Sequence, residues 1–426
     1  MTKRDFLKGG LLAATAGAVT AGGAAGVVAQ ARAEREAGDF AHLPDLAAGA
    51  TPVSPAEYRA RQDKARRLMG EAGLAALVLE PGASLAYFTG LELWRSERFH
   101  GAVLPADGDV VYISPAFEAP KLEELLVIPG DIRTWEEHED PFIRVAQALT
   151  DAGLSEGRIG MEATVRYFVS HGIAAAAPGF AIAPAEPVVT GCRAIKSAHE
   201  IALMQTAFDI TLAAYRAAVP RLEAGMTPAD FRSVMEAATR AMGGRPTFTM
   251  ALFGEASAYP HGSSAPQILK EGDIVLMDCG CDVMGYKSDI SRTLVFGEAS
   301  ARQREVWTVE KTAQLAAFEA AQPGAPCGAV DAAARAVLEK HGFGPGYRTP
   351  GLPHRTGHGI GMETHESPNF VMDSEIAIAP GMCFSNEPGI YIYGEFGVRL
   401  EDCIHIAEDG PRWFTTPAPS LDAPLA

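Results

Sequence analysis

Residues 354–366 read HRTGHGIGMETHE. The stretch places three of the chain's eleven histidines, His354, His358 and His365, within one short segment. A helix could align His354 with His358. Gly357, Gly359 and Gly361 oppose that, because each glycine costs a helix interior roughly 1 kcal/mol. A backbone this bare usually means that something approaches it closely. The alternative is a glycine-rich turn with surface histidines, and the stretch alone does not separate the two.

Outward from this segment the chain runs an approximate internal repeat. GMTPADFRSVMEAATRAMGG (225–244) parallels GAPCGAVDAAARAVLEKHGFG (324–344). Each is a Gly/Pro-containing turn followed by an amphipathic helix that ends at glycine. YPHG, with His261, follows the first copy, and His354 and His358 follow the second. EGDIVLMD (271–278) then parallels PGMCFSNE (380–387). Each places a carboxylate, Asp278 or Glu387, at the end of an apolar strand. Each strand leads through a Gly/Tyr-containing turn to a second carboxylate, Asp289 in YKSDISRT and Glu401 in GVRLED.

Strand pairing would bring Asp278 near Asp289 across one hairpin and Glu387 near Glu401 across the other. Four buried carboxylates cannot share a site without cations, because like charges would force protonation or unfolding. Two divalent metals with a bridging hydroxide resolve the conflict, and one imidazole completes the set. His358 is the natural candidate, since the glycines around it would admit the cluster. A solvated hairpin residue is the alternative for any one carboxylate. Four at repeat-related positions, beside three histidines, favour the metal site.

The 426 residues suffice for two domains, and 47% hydrophobic content suits a sizeable core. The formal net charge of −17 and the lack of a Lys/Arg-rich run argue against nucleic acid as a partner. The six cysteines form no CxxC pair, which argues against structural zinc and leaves free buried thiols as the expectation. Residues 1–33 have the layout of an export signal. Lys3, Arg4 and Lys8 precede a weakly apolar Ala/Gly stretch, and A-x-A cleavage sites end at Ala31 or Ala33. TKRDFLK resembles the twin-arginine signal with Lys3 in place of the first arginine. The twin-arginine route, the general secretory route and an uncleaved anchor all remain open, with periplasmic export the expectation. Residues 34–53 read as a lead-in. SPAEYRARQDKARRLMGEAG reads as a helix capped by Ser54, LAALVLE as a buried strand, and GAVLPADGDVVYISP as a hairpin. Residues 54–190 form one α/β domain on this reading, and a second domain covers 191–420. Ser197 and Glu200 form a capping box at the junction.

The order Asp278, Asp289, the GHGIG histidine His358, the NEP glutamate Glu387 and Glu401 in VRLED resembles the pita-bread metallopeptidases. That family includes methionine aminopeptidase, aminopeptidase P, prolidase and the metal-free creatinase. The resemblance covers about residues 55–415. It implies an α/β (α+β) chain: a small creatinase-like N-terminal domain, then a catalytic pita-bread domain with an internal pseudo-two-fold repeat. It also implies that Asp278 chelates one metal, that Asp289 and Glu401 bridge both, and that His358 and Glu387 bind the other. The N-terminal domain and HRTGHGIG resemble the aminopeptidase P and bacterial prolidase branch. There, His354 would contact substrate, His365 and His261 would contact substrate and transition state, and Arg399 would lie beside the last ligand at the substrate.

The implied activity is metal-dependent hydrolysis of the bond between an N-terminal residue and proline. Glu387 would move the proton, and His365 or His261 would stabilise the oxyanion. Oxygen-dominated ligation favours Mn²⁺, then Co²⁺ or Zn²⁺. A homodimer is implied, with Trp94 or Arg98 lining a neighbouring subunit's cleft; a strand and loop in the N-terminal core is the alternative for that segment. The same ligands also serve non-peptide hydrolases and lyases, resembling ectoine hydrolase, creatinase or a dimethylsulfoniopropionate lyase. A catalytically silent binding module on this fold is the competitor from another class. Its usual signature is lost ligands, and this chain keeps all five.

Overall fold

The computed structural model describes residues 39–425. The export-signal reading of residues 1–33 lies outside them. Ser54 caps the helix Pro55–Ala72, its hydroxyl accepting from the Glu57 amide while the Glu57 carboxylate accepts from the Ser54 amide. Pro55 opens that helix, where its missing N–H costs nothing.

The first domain is built on one six-stranded mixed sheet. Its strands are β1 (Ala76–Leu79), β2 (Gly101–Pro105), β3 (Val111–Pro115), β4 (Asp131–Trp135), β5 (Gly157–Met161) and β6 (Phe180–Pro184). Their order is β4-β3-β2-β1-β5-β6. The expected hairpin is β2–β3, with Val103 opposite Val111. Side-chain alternation in β1 splits the core between the two faces. Leu77 and Leu79 pack with Met69, Val188 and Cys192 on one face. Ala76 and Val78 pack with Val145, Leu149 and Ile173 on the other.

The second domain begins at the helix Ala198–Ala218, where Ser197 and Glu200 form the anticipated capping box. Its strands are β7 (Arg245–Phe253), β8 (Ile274–Val283), β9 (Tyr286–Lys287), β10 (Ile290–Val295), β11 (Gly357–Gly359), β12 (Glu366–Phe370), β13 (Cys383–Asn386), β14 (Gly389–Ile392), β15 (Phe396–Arg399), β16 (Asp402–Ala407) and β17 (Gly410–Trp413). The repeat is present in the topology. The helix Pro228–Ala241 precedes strands ordered β7-β8-β10, and the helix Cys327–Lys340 precedes strands ordered β11-β13-β16. Asp289 stands immediately before β10 and Glu401 immediately before β16. In the other pair the halves differ. Glu387 directly follows β13, whereas Asp278 lies inside β8, which runs on to Val283, so the expected strand end at Asp278 is not observed. The extra length of β8 pairs with β9 through Asp282–Lys287 and Val283–Tyr286.

The two halves join at the future site. The Glu401 amide donates to the Ser291 carbonyl, and the Ser291 hydroxyl donates to the Glu401 carboxylate. Beneath them the wholly buried Arg292 guanidinium donates to the Glu401 carbonyl and to Asp402. A buried cation paired through both of its terminal nitrogens holds the seam in one register, because shifting it would strand the charge. All six cysteines are buried free thiols.

Candidate active site

Asp278, Asp289, His358, Glu387 and Glu401 converge on one cavity of about 790 Å³, and His261, His354, His365 and Arg399 line it too. The nine residues come from both halves of the repeat. Antiparallel pairing explains the meeting. Ser291 lies opposite Asp278 and Asn386 opposite Asp402, which sets each carboxylate beside its partner across a strand pair.

The glycines around His358 do a different job from the one expected of them. A Cβ on Gly357 would stand 2.1 Å from the Ser385 carbonyl oxygen, and one on Gly359 would stand 2.8 Å from that of Glu366. One on Gly361 would meet Lys196 at 2.8 Å. The bare backbone therefore admits neighbouring protein backbone and Lys196, and the cluster is reached by the His358 ring alone. That ring sits on an extended strand, β11, and is 1% exposed. Its Nδ1–H faces the Gly359 carbonyl at 3.0 Å, which selects the tautomer with a free lone pair on Nε2. Nε2 points at Glu387 (3.1 Å) and Asp289 (3.6 Å).

Three of the four carboxylates keep an unused acceptor. Asp278 Oδ1, Asp289 Oδ1 and Glu401 Oε1 are buried and have no hydrogen-bond partner. Burial, then the charges of Glu401, Asp278 and Glu387, push Asp289 well above the usual carboxylate range. Burial, then Glu387 and Asp278, do the same to Glu401. Burial would also raise Glu387, while a hydrogen bond and charge from His358, available only when Nε2 carries a proton, and the Arg399 guanidinium behind them act to lower it. Buried acceptors without donors are costly, and divalent cations supply the missing partners.

The donor atoms fit such ions. Among the described residues three groups place one ligand atom per residue within 4.8 Å of one another: Asp278/Asp289/Glu401, His358/Glu387/Glu401 and Asp289/His358/His365. Asp289, His358 and Glu401 each belong to two groups, which ties the three groups into one continuous cluster. His365 also falls in one of them, its ring 4.3 Å from that of His358.

The flanking residues form a connected chain. Arg399 is 3% exposed, and all of its side-chain nitrogens are engaged. Nη2 donates to Asp278 (2.6 Å), Nη1 to the Tyr391 hydroxyl and the Pro260 carbonyl, and Nε to Ser291. These four bonds position Arg399 and leave one Nη2 N–H of its five donors unused, so the same side chain can hold Asp278 and face the cavity that it lines. The Tyr391 hydroxyl in turn meets His354 Nε2 at 2.9 Å, and His354 Nδ1 meets the Arg355 carbonyl at 2.7 Å. Burial lowers His354 to about 4. Burial, then the charges of His358 and Arg355, lower His365 to about 4 as well. Both rings are neutral at pH 7. His261 and His365 are exposed and line the cavity.

Sequence reasoning missed Tyr391, Arg355 and Glu366. Glu366 anchors the turn that carries His365. Its carboxylate accepts from Arg193 (2.5 Å), Lys196 (3.1 Å) and the amides of Met362 and Glu363. Its partners Arg193 and Lys196 lie at the domain junction, 173 and 170 residues away in the chain, so no local pattern announces them.

A mixed α/β first domain, a repeated α/β second domain and a buried carboxylate–imidazole cluster define a two-domain metal-site protein. The chain belongs to metallopeptidase family M24. Residues 202–408 match the model of that family, and residues 61–195 match the Creatinase/Prolidase N-terminal domain. The chain is 34% identical over 359 residues to a probable dipeptidase PepE of Mycobacterium tuberculosis, covering 83% of this chain and 93% of that one. It is 30% identical over 362 residues to an Xaa-Pro dipeptidase of Lactobacillus delbrueckii subsp. lactis, covering 83% and 96%. The crystal structure of dipeptidase PepE from Mycobacterium ulcerans superimposes with a TM-score of 0.79 at 32% identity, covering 86% and 97%. The creatinase-like plus pita-bread architecture is thus the fold of this chain.

Proposed function

We propose that this protein is a dinuclear metal-dependent peptidase that hydrolyses the bond between an N-terminal residue and proline. The observation that carries the reading is the cluster itself: four carboxylates with three orphaned oxygens, and an imidazole lone pair, aimed into one cavity. Asp278, Asp289, His358, Glu387 and Glu401 would hold the ions. Oxygen-dominated ligation with one imidazole suits Mn²⁺ first, then Co²⁺ or Zn²⁺. Divalent ions so held supply Lewis-acid polarisation of a carbonyl and a water acidic enough to ionise near neutral pH.

The protein side chains do the rest. Glu387, ionised at neutral pH, accepts the proton of the attacking water and returns it to the departing prolyl nitrogen. His365 is neutral and exposed to the cavity, so it offers an N–H to the developing oxyanion, with His261 in the same lining as its counterpart. His354 lines the proline side, held by Tyr391. Arg399 keeps Asp278 and Tyr391 in place. A substrate with an uncharged N-terminal amine suits the cationic centre and explains exopeptidase action.

Names carried by relatives support the substrate class: an Xaa-Pro dipeptidase and a probable dipeptidase are among them. The layout of residues 1–33 supports export to the periplasm. Trp94, 92% exposed beside Arg98, supports a homodimer in which this loop reaches a neighbouring cleft. The test is apo-protein reloaded with Mn²⁺ and given Xaa-Pro dipeptides, Xaa-Pro-Yaa tripeptides and ectoine in parallel. Hydrolysis of proline peptides is the expected result. Turnover of ectoine with the proline peptides intact would overturn the reading.

A further inference from the structure

Between the helix that ends at Lys340 and β11, which starts at Gly357, the chain forms no helix or strand. This stretch nevertheless supplies Tyr347, His354 and Arg355 to the cavity lining. A loop keeps a fixed shape only as far as side chains and backbone pin it. Arg335, on the buried face of the helix Cys327–Lys340, supplies many of the pins. It is 5% exposed and uses all five guanidinium N–H groups on protein acceptors. Nη1 donates to the carbonyls of Gly346 (2.6 Å) and Leu352 (2.9 Å), and Nη2 to the carbonyl of His354 (2.6 Å). Nε and Nη2 also donate to the wholly buried Asp331, one helical turn earlier. Gly346 is gripped from its other side too, its amide donating to Glu339.

The same guanidinium lies over the Tyr347 ring, 4.3 Å from the ring centre. A buried group thus covers one face of the ring, and cation–π attraction holds the ring against it. Tyr347 is still 45% exposed, so its free area is the opposite face and the rim. None of the five bonds of Arg335 reaches a proposed metal ligand. A prolyl residue inside a peptide has no amide N–H, so its ring is read by shape and apolar contact, and an aromatic face suits that task. Resting on the Xaa-Pro reading, we propose that Arg335 is a positioning residue that holds Tyr347 and His354 as one preformed wall, and that the free face of Tyr347 packs against the ring of the residue after the scissile bond. Lysine cannot replace this arginine. A single ammonium cannot span three carbonyls and a carboxylate, and it has no plane to stack on the ring.

The test compares kcat and KM of the Mn²⁺-loaded enzyme on Ala-Pro and on Ala-sarcosine, which keeps the tertiary amide without the ring. The proteins are the wild type, Tyr347→Phe, Tyr347→Ala, Arg335→Lys and the Tyr347→Ala/Arg335→Lys double variant. The wild type should favour Ala-Pro by roughly tenfold in kcat/KM, the size of two buried methylenes. Tyr347→Phe should keep that ratio, because the contact is with the ring. Tyr347→Ala and Arg335→Lys should each bring it to within about threefold, through KM with kcat held, as expected when uniform binding is lost. The double variant should match Tyr347→Ala in this ratio, because the arginine acts on it through the tyrosine. Metal content and thermal midpoint are read on every sample. An unchanged ratio in Tyr347→Ala, or a loss in Tyr347→Phe as large as in Tyr347→Ala, would overturn the assignment of the ring. An unchanged ratio in Arg335→Lys, or losses that multiply in the double variant, would overturn the positioning role. Loss of metal or of the folded state in Arg335→Lys would make the arginine a general support and overturn that role too, while Tyr347→Ala still tests the ring. Equal wild-type kcat/KM on the two substrates would overturn the proposal alone. Failure of the wild type on both would overturn the Xaa-Pro reading, and this proposal with it.

Discussion

His358 and His365 stand 4.3 Å apart, edge to face, yet they are given different work. His358 is buried on a strand with its tautomer set by the Gly359 carbonyl. His365 is exposed, and its ring is neutral down to about pH 4. His358→Ala should lose metal affinity together with activity. His365→Ala should keep its metals and lose turnover by roughly 10²–10³-fold, the effect of removing one oxyanion donor. His354→Ala should keep its metals and weaken recognition of proline substrates. Metal analysis and steady-state kinetics on the three variants check this. The first of those measurements matters most, because His365 lies within ligand distance of Asp289 and His358. If His365→Ala loses metal as badly as His358→Ala, the division of roles is wrong. At this scale the sequence was legible where the residues recur with the repeat: Asp278, Asp289, Glu387 and Glu401 announce each other. Tyr391 was not legible. Its hydroxyl gains meaning only between Arg399 and His354, and the latter is 37 residues away.

The turn at residues 361–366 shows how an element holds a side chain for chemistry. Glu366 is 9% exposed and ties that turn to Arg193 and Lys196. Arg193 also donates to Ser84, whose hydroxyl donates to Glu162 in the first domain. The turn that aims His365 is thereby fastened to the domain junction. Burial alone would raise the Glu366 carboxyl, but Lys196 and Arg193, with a Glu363 amide, hold it down to about 2. Its folded value is below the unfolded one of about 4.3, so its contribution is complete above that pH and is lost as pH falls through 2. That contribution is on the order of 3 kcal/mol. Denaturation midpoints of wild type and Glu366→Gln should therefore differ most above pH 5 and converge near pH 2, with kcat of the variant falling while metal content holds. A gap independent of pH would contradict the assignment. Helix caps, the β2–β3 hairpin and the strand alternation of β1 were readable because their partners are a few residues away. The purpose of Gly357 and Gly359 was not, since what crowds them is the backbone of β12 and of β13.

On the scale of the whole molecule, the two halves of the second domain close around the site, and Arg292 seals the seam beneath it. Among the described residues no helix is long and apolar enough to cross a membrane. The export reading predicts that the native protein starts near Arg32 or Glu34. N-terminal sequencing checks it, and an intact Met1 in the soluble cytoplasmic fraction would refute it. The two-domain division was legible from the change in pattern near residue 190 and the capping box at Ser197. The bond between the domains at Arg193 was not, because an ion cluster assembled from three distant segments leaves no periodic trace. The central claim is that one buried cluster binds two ions that the reaction requires. The most direct test is metal titration of the apo-protein with Mn²⁺, reading bound ions per chain and Xaa-Pro hydrolysis on the same samples, for the wild type and for Asp289→Ala. The account predicts a plateau near two ions per chain, with activity rising alongside, and loss at both sites in Asp289→Ala because that residue is shared. Full activity of Asp289→Ala with its metal retained, or wild-type hydrolysis without any bound ion, would contradict it.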